Sequence, residues 1–115
     1  MQYMLLVYVP ESDREPAPAE MEAMFAEYGA FNERLNARNA YVDGSRLAPA
    51  TSATTVRVRD GRNVITDGPF AETKEWLGGY YVIEAASLDD ALQIGADCPG
   101  AKYGSIEIRP LASAG

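Results

Sequence analysis

QYMLLVYV, residues 2–9, is the stretch of sequence that decides the fold. It alternates like a β-strand, but both alternating faces are apolar, with Tyr3, Leu5, Val7 and Val9 on one and Met4, Leu6 and Tyr8 on the other. A strand that is apolar on both faces is buried on both sides, as central strands are. The stretch therefore predicts a central strand that is covered by two helical layers or by a second sheet.

The next apolar pattern has the period of a helix. From Ala19 onward the apolar residues recur every three or four positions, and the glutamates between them turn mostly to water; the apolar positions are Met21, Met24, Phe25, Tyr28, Phe31 and Leu35. Gly29 costs about 1 kcal/mol relative to alanine inside a helix, so we expect a close packing contact to explain it. The helix is predicted to end near Asn39.

A β-hairpin is predicted in the middle of the chain. Val56 and Val58 alternate with polar residues over positions 54–59, which predicts the first strand, and Asp60-Gly61 is typical of a two-residue turn. Positions 63–66 are predicted to form the second strand. A further strand is predicted over positions 76–85, where the pair Gly78-Gly79 indicates either a bulge or a close approach of another backbone or a ligand.

The last third of the chain predicts a short helix and a closing strand. Ser87, with Asp90 three residues later, is typical of a helix N-cap, and this helix should end before Pro99. Positions 105–109 alternate as a strand. The order of elements is strand, long helix, hairpin region, strand, short helix and strand. It predicts an α+β fold of the ferredoxin-like split β-α-β type, an antiparallel sheet with two helices on one face.

We expect one domain over residues 1–111 and a flexible tail over residues 112–115. One helical layer covers one face of the sheet, and the rows of tyrosine and valine supply more apolar surface than that layer can bury. A homodimer that stacks two sheets would bury the other face symmetrically. An apolar ligand site is the alternative cover.

Charge and composition narrow the class of partner. Seventeen acidic and ten basic residues give a net charge of −7, which opposes binding to nucleic acid or to an anionic membrane surface. The single Cys98 and the lack of a signal-peptide pattern predict a cytoplasmic protein. The chain has no histidine, so no Cys/His metal cluster and no Ser-His-Asp triad is available, and we expect neither metal nor cofactor.

One run of sequence resembles a known family. The stretch from Asp67 to Glu75, DGPFAETKE, followed by LGGYY at positions 77–81, is similar to the signature of the DGPF-type branch of the YCII-related family. MLLVY at positions 4–8, Cys98-Pro99 and GSIEIRP at positions 104–110 extend the resemblance over nearly the whole chain. The resemblance implies a dimeric ferredoxin-like α+β barrel with a cleft near the dimer interface. Such proteins are bacterial and mostly of undefined function.

The same resemblance implies two further roles. Some YCII-related proteins look like enzymes that use a histidine and an aspartate, and one group is associated with dehydrochlorination of an aromatic ring. This chain has no histidine, and Cys98 stands where the enzyme-like branch resembles Asp-Pro, so that pair is not carried over. DGPF-type proteins are also often encoded beside alternative sigma factors, which implies a sensing or regulatory role.

The residues themselves suggest a few candidate sites. Asp67 either caps a turn or acts as a general base or ligand anchor. Glu72 is the second catalytic candidate because clustered charges can separate pKa values. Arg57 and Lys74 are candidate ligand-binding cations, either of which pairs with neighbouring carboxylates instead in a purely structural role. Tyr81 is the candidate aromatic ligand contact; with Tyr28, Trp76 and Tyr80 it either lines a pocket or belongs to the core. Cys98 is expected to be a packed, neutral thiol.

Three functions remain open at this point. The first is a homodimer that binds a small polar or aromatic metabolite in a cleft lined by Arg57, Asp67, Glu72 and Lys74. The second is a cofactor-free enzyme of the lyase or isomerase type, in which Asp67 or Glu72 moves a proton. The third is a protein-binding regulator linked to an alternative sigma factor, in which the acidic helix meets a basic partner.

Overall fold

The computed structural model describes residues 1–10, 16–69 and 74–112, and six strands and three helices lie within these ranges. The strands are β1 (Gln2–Pro10), β2 (Tyr41–Arg46), β3 (Thr54–Arg59), β4 (Arg62–Asp67), β5 (Glu75–Glu84) and β6 (Ser105–Pro110). The helices are α1 (Pro18–Ala37), α2 (Leu88–Asp97) and the single turn α3 (Gly100–Tyr103). A short 3-10 turn lies at Ala50–Ser52.

Four strands form the main sheet in the order β2-β5-β1-β6, and every neighbouring pair is antiparallel. The helix α1 joins β1 to β2, and β5 lies between these two strands, which is the ferredoxin-like arrangement. Phe31 and Leu35 of α1 and Ile94 of α2 belong to one core with Leu5 and Ile83 of the sheet. The predicted α+β fold, with an antiparallel sheet and both helices on one face, is confirmed.

The predicted order of elements needs one correction. The hairpin β3-β4 is present, and its turn at Asp60 and Gly61 has the positive φ angles, 52° and 74°, that a tight two-residue turn requires. However, it forms a separate two-stranded sheet, and the edge of the main sheet is β2, which was not predicted. The sequence of β2, YVDGSR, has turn-forming residues at its centre. Pairing with the backbone of β5 makes it a strand despite these local preferences.

Several local predictions can be compared with the structure. Ser87 caps α2, because its Oγ accepts a hydrogen bond from the backbone N–H of Asp90 at 3.2 Å. The register of β1 against β5 shifts at Gly78, which is the predicted bulge. The helix α1 ends before Asn39, whose φ of 55° stops it as expected. The prediction for Gly29 was wrong, because a Cβ there would meet no atom within 4 Å.

Two expectations concern the ends and the environment of the chain. Of the predicted flexible tail only Ala112 is described, so that prediction lies outside the described residues. None of the described helices combines the length and the apolar character needed to span a membrane.

Candidate functional site

A cavity of about 610 Å³ opens between α1 and the main sheet. It forms because α1 packs on the sheet only along its C-terminal half. Phe31 and Leu35 are 0% and 2% exposed, whereas Phe25, less than two turns earlier, is 51% exposed. The volume lies in the range that small-molecule sites occupy.

Aromatic residues from α1 and from the two strands β2 and β5 line the cavity; among them are Phe25, Tyr28, Tyr41, Trp76 and Tyr81. The Tyr81 ring is fixed edge-on by two neighbours, with centroid distances of 5.3 Å to Phe31 and 6.3 Å to Tyr41. Such perpendicular contacts are favourable because the positive edge of one ring meets the negative face of the other. The wall around Tyr81 is therefore set before any ligand arrives.

The polar groups at the centre of the cavity are hydrogen-bond donors. The Tyr81 hydroxyl donates to Asn32 Oδ1 at 2.7 Å. Burial raises the pKa of Tyr81 to about 12, so its hydroxyl keeps the proton at neutral pH. Since the Asn32 carbonyl oxygen already accepts this bond, its amide nitrogen is the part that remains to bind an acceptor.

Tyr28 connects the cavity wall to the buried Cys98. The Tyr28 hydroxyl faces the thiol of Cys98 and the backbone of Gly100. Burial, reinforced by the neighbouring thiol, raises the pKa of Tyr28. Burial likewise raises the pKa of Cys98, which is 1% exposed. The prediction of a packed thiol is confirmed, and the main reason that the thiol stays neutral is desolvation rather than its place after a helix.

Arg46 supplies positive charge at the mouth of the cavity. Its guanidinium carbon lies 5.3 Å from the centroid of the Phe25 ring, so a cation on β2 meets an aromatic ring on α1 across the opening. Arg46 is the only charged side chain among the described lining residues, and it forms no ion pair with a described carboxylate. Among the described residues, no carboxylate competes with an anionic ligand for this charge.

Most of the predicted site residues lie elsewhere. Arg57 is in β3, Asp67 ends β4, Lys74 directly precedes β5, and none of the three lines the cavity; Glu72 lies outside the described residues. In the hairpin Asp67 stands opposite Thr54, three residues before Arg57, so the side chains of Arg57 and Asp67 leave the hairpin on opposite faces.

The strand register thus separates Arg57 from Asp67, and the cleft predicted for Arg57, Asp67, Glu72 and Lys74 stays a prediction. Asp67 is exposed, and its carboxylate makes no hydrogen bond or ion pair with the side chain of a described residue. The separate roles predicted for Arg57, Asp67, Glu72 and Lys74 stay predictions. Tyr81 does line the cavity.

Sequence reasoning missed Asn32 and Arg46. Asn32 interrupts the apolar face of α1, and only the position of Tyr81 across the cavity gives it a role. Arg46 ends the strand that the pattern did not reveal. The indole Nε1 of Trp76 is also buried and finds no acceptor among the described residues. Within the same residues no three His, Cys, Asp or Glu side chains converge as metal ligands.

The fold and the cavity define a small α+β domain with an aromatic cleft between its long helix and its sheet. The YCII-related domain family matches this chain over residues 1–113, and the chain belongs to that family. The DGPF-type branch fits this assignment and stays a prediction.

Two relatives illustrate the comparison. The chain is 39% identical over 115 residues to the uncharacterized protein R00369 of Rhizobium meliloti (strain 1021). The alignment covers 97% of this chain and 93% of that protein. Among solved structures it is similar to 5-chloro-2-hydroxyhydroquinone dehydrochlorinase (TftG) from Burkholderia phenoliruptrix AC1100, in complex with 2,5-dihydroxybenzoquinone. That likeness has a TM-score of 0.47 and 16% identity, and covers 97% of this chain and 94% of the other. It carries no inference about the cavity.

Proposed function

We propose that this protein binds a small, flat aromatic carboxylate in the cavity between α1 and the sheet. The observation that carries the proposal is an aromatic cavity of about 610 Å³ with one described cation, Arg46, on its wall. Sites for small molecules are mostly apolar with a few polar groups that fix the orientation of the ligand, and this cavity has that composition.

The aromatic wall favours a flat ligand. Tyr81 and Tyr41 present rings whose mutual orientation is already fixed, and Trp76 and Tyr28 add further ring surface. A planar ring gains offset or edge-to-face contacts with such walls, worth roughly 0.5–1.5 kcal/mol for each pair beyond the burial of its area.

The polar groups favour an anion with acceptor oxygens. The Arg46 guanidinium has donors only, and a carboxylate can accept two of its N–H groups at once. Asn32, which accepts from Tyr81 through Oδ1, offers its amide nitrogen as a further donor on the cavity wall. Because Tyr81 and Tyr28 have raised pKa values, both keep their protons at neutral pH and are suited to hydrogen bonding rather than to taking up a proton.

The test compares trans-cinnamate with its neutral amide, cinnamamide, by calorimetric titration. We expect the carboxylate to bind about tenfold more tightly than the amide, corresponding to about 1.4 kcal/mol for the charge-assisted contact with Arg46. Arg46→Gln should remove this preference, and Arg38→Gln, at an exposed arginine outside the cavity lining, should keep it. Equal binding of both compounds to the wild type would refute the anion preference. Binding of neither compound would refute the proposed site.

The enzymatic alternative predicts that a substitution at Asp67 changes turnover but not affinity. Asp67 does not line the cavity, so Asp67→Asn should leave cinnamate affinity unchanged. Turnover that depends on Asp67 while affinity is kept would support the predicted proton transfer.

We propose further that the protein is a homodimer through the outer sheet face, defined as the half-buried residues Met4, Leu6, Tyr8, Tyr80 and Val82. These side chains alternate with the core residues of β1 and β5 and so point away from the helices. A two-fold axis would stack the same apolar face of both copies, which is the symmetric cover that a homodimer supplies. Analytical ultracentrifugation at micromolar concentration should give a molecular mass of twice 12.5 kDa, the mass of one chain, and the mass of a monomer would contradict the proposal.

A further inference from the structure

The hairpin β3-β4 projects from the body of the protein. It shares no ladder with the main sheet, and its base is closed by its own residues, with the Gly68 N–H donating to the Ala53 carbonyl at 2.7 Å and the Thr55 hydroxyl to the Gly68 carbonyl at 2.8 Å. The radius of gyration over Cα atoms is 16.1 Å, whereas a compact chain of this length has about 13 Å. The described molecule is also only 19 Å thick, with extents of 48 and 46 Å in the other directions.

The two faces of this hairpin differ sharply. Residues that stand opposite each other in the ladder share a face, so Val56, Val58 and Ile65 lie together on one side. These three side chains are 62%, 60% and 65% exposed. The polar residues Thr54, Asn63 and Asp67 share that side. Arg57, Arg59 and Arg62 lie on the other side; Val64 and two threonines accompany them.

An apolar hairpin of this kind requires a cover. A single two-stranded hairpin is marginally stable in water, and exposed β-branched residues on a strand pair invite association. The three exposed side chains present roughly 300 Å² of surface, which is too little for a stable contact with an unrelated partner. In a two-fold dimer there are two such hairpins, and each buries its own apolar surface together with an equal area of the other copy. The total buried area is then roughly 1,200 Å², which is the lower bound for stable interfaces.

We infer that the hairpin β3-β4 is an arm whose apolar face, formed by Val56, Val58 and Ile65, packs on a second copy of the chain. This inference rests on the homodimer proposed above and adds the segment that clasps it. The arm and the outer sheet face are then covered in one symmetric assembly.

Cross-linking from a single site tests the inference. The native Cys98 is buried, so the exposed Val58→Cys variant can be labelled selectively with a benzophenone maleimide. In a mixture of ¹⁴N and ¹⁵N chains at micromolar concentration, photolysis should give a covalent dimer whose cross-linked peptides join the two isotopes. Arg59→Cys places the same label on the other face and should give at least fivefold less dimer.

A second variant measures the contribution of the apolar face. Val56→Glu with Ile65→Glu should raise the dimer dissociation constant at least a hundredfold, while circular dichroism and thermal unfolding of the main sheet stay close to wild type. If the wild type sediments as a dimer but the cross-links stay within one chain, or if the double variant changes the dissociation constant less than threefold, the arm is refuted and the homodimer stands. If the wild type is a monomer, the homodimer fails and the arm with it.

Discussion

Two glycines of this chain should respond to alanine with opposite signs. At Gly100 a Cβ would lie 2.8 Å from the Tyr28 hydroxyl and 2.8 Å from Val7 Cγ1. Val7 belongs to the core and cannot yield freely, so the added methyl overpacks this site. At Gly29 in α1 a Cβ would meet nothing within 4 Å.

The magnitudes follow from these surroundings. Overpacking typically costs 1–3 kcal/mol, so Gly100→Ala should lower the free energy of unfolding by about 1–3 kcal/mol. Gly29→Ala gains helix propensity without a steric cost and should raise it by about 0.5–1 kcal/mol. For 115 residues the entropy of unfolding converts each kcal/mol into a Tm shift of about 4 °C. The expected shifts are therefore about −4 to −12 °C for Gly100→Ala and about +2 to +4 °C for Gly29→Ala.

Urea unfolding and thermal melts of the two variants measure these shifts against the wild type. Gly100→Ala also pushes the Tyr28 ring toward the cavity, so its affinity for trans-cinnamate should fall, whereas Gly29→Ala should keep wild-type affinity. A Gly100→Ala protein as stable as the wild type would refute the packing described for Tyr28, Val7 and Gly100.

Three further predictions concern single groups. Burial raises the pKa of Tyr81 from 10.0 to about 12 and raises the pKa of Tyr28 as well, so above pH 10 the native state holds protons that the unfolded chain has lost. The contribution of these groups to the free energy of unfolding is complete below pH 10. It should fall by up to about 1.4 kcal/mol per pH unit for each group as the pH rises toward 12. Urea unfolding at pH 9 and pH 11 measures the fall, and Tyr81→Phe, which lacks this titration, should reduce it; equal stability at both pH values would contradict the burial of the two hydroxyls. Ser87→Ala removes the N-cap of α2 and should cost about 1 kcal/mol in the same unfolding assay, whereas an unchanged midpoint would show that the cap contributes nothing. Cys98 should react with iodoacetamide at pH 7 only as fast as the protein opens, and labelling at the rate of the urea-unfolded chain would contradict its burial.

The fold was largely predictable because its main elements carry strong periodic patterns. The central strand β1 is apolar on both faces, and α1 repeats its apolar residues at helical spacing. The edge strand β2 was missed because Asp43, Gly44 and Ser45 favour a turn, and only the backbone of β5 beside them makes this segment a strand. Gly29 was misjudged because the pattern does not reveal that its side of α1 faces open space.

The cavity was much less predictable than the fold. The charged run that begins at Asp67 drew attention because its residues are close in sequence, but the cavity is built from residues far apart in sequence. Asn32 in α1, Arg46 in β2 and Tyr81 in β5 meet only after the sheet has formed. The aromatic residues were the one signal available from the sequence, and aromatic spacing alone does not distinguish a cavity wall from a core.

The fluorescence of Trp76 during a titration with trans-cinnamate shows whether the ligand binds in the cavity between α1 and the sheet. Trp76 is the only tryptophan of the chain, and it lines the cavity. Binding in the cavity should change its emission along a saturable curve that gives the same dissociation constant as calorimetry, and the curve should shift about tenfold to weaker binding in Arg46→Gln. Calorimetric binding without any change in Trp76 emission would place the ligand outside the cavity and refute the proposed site.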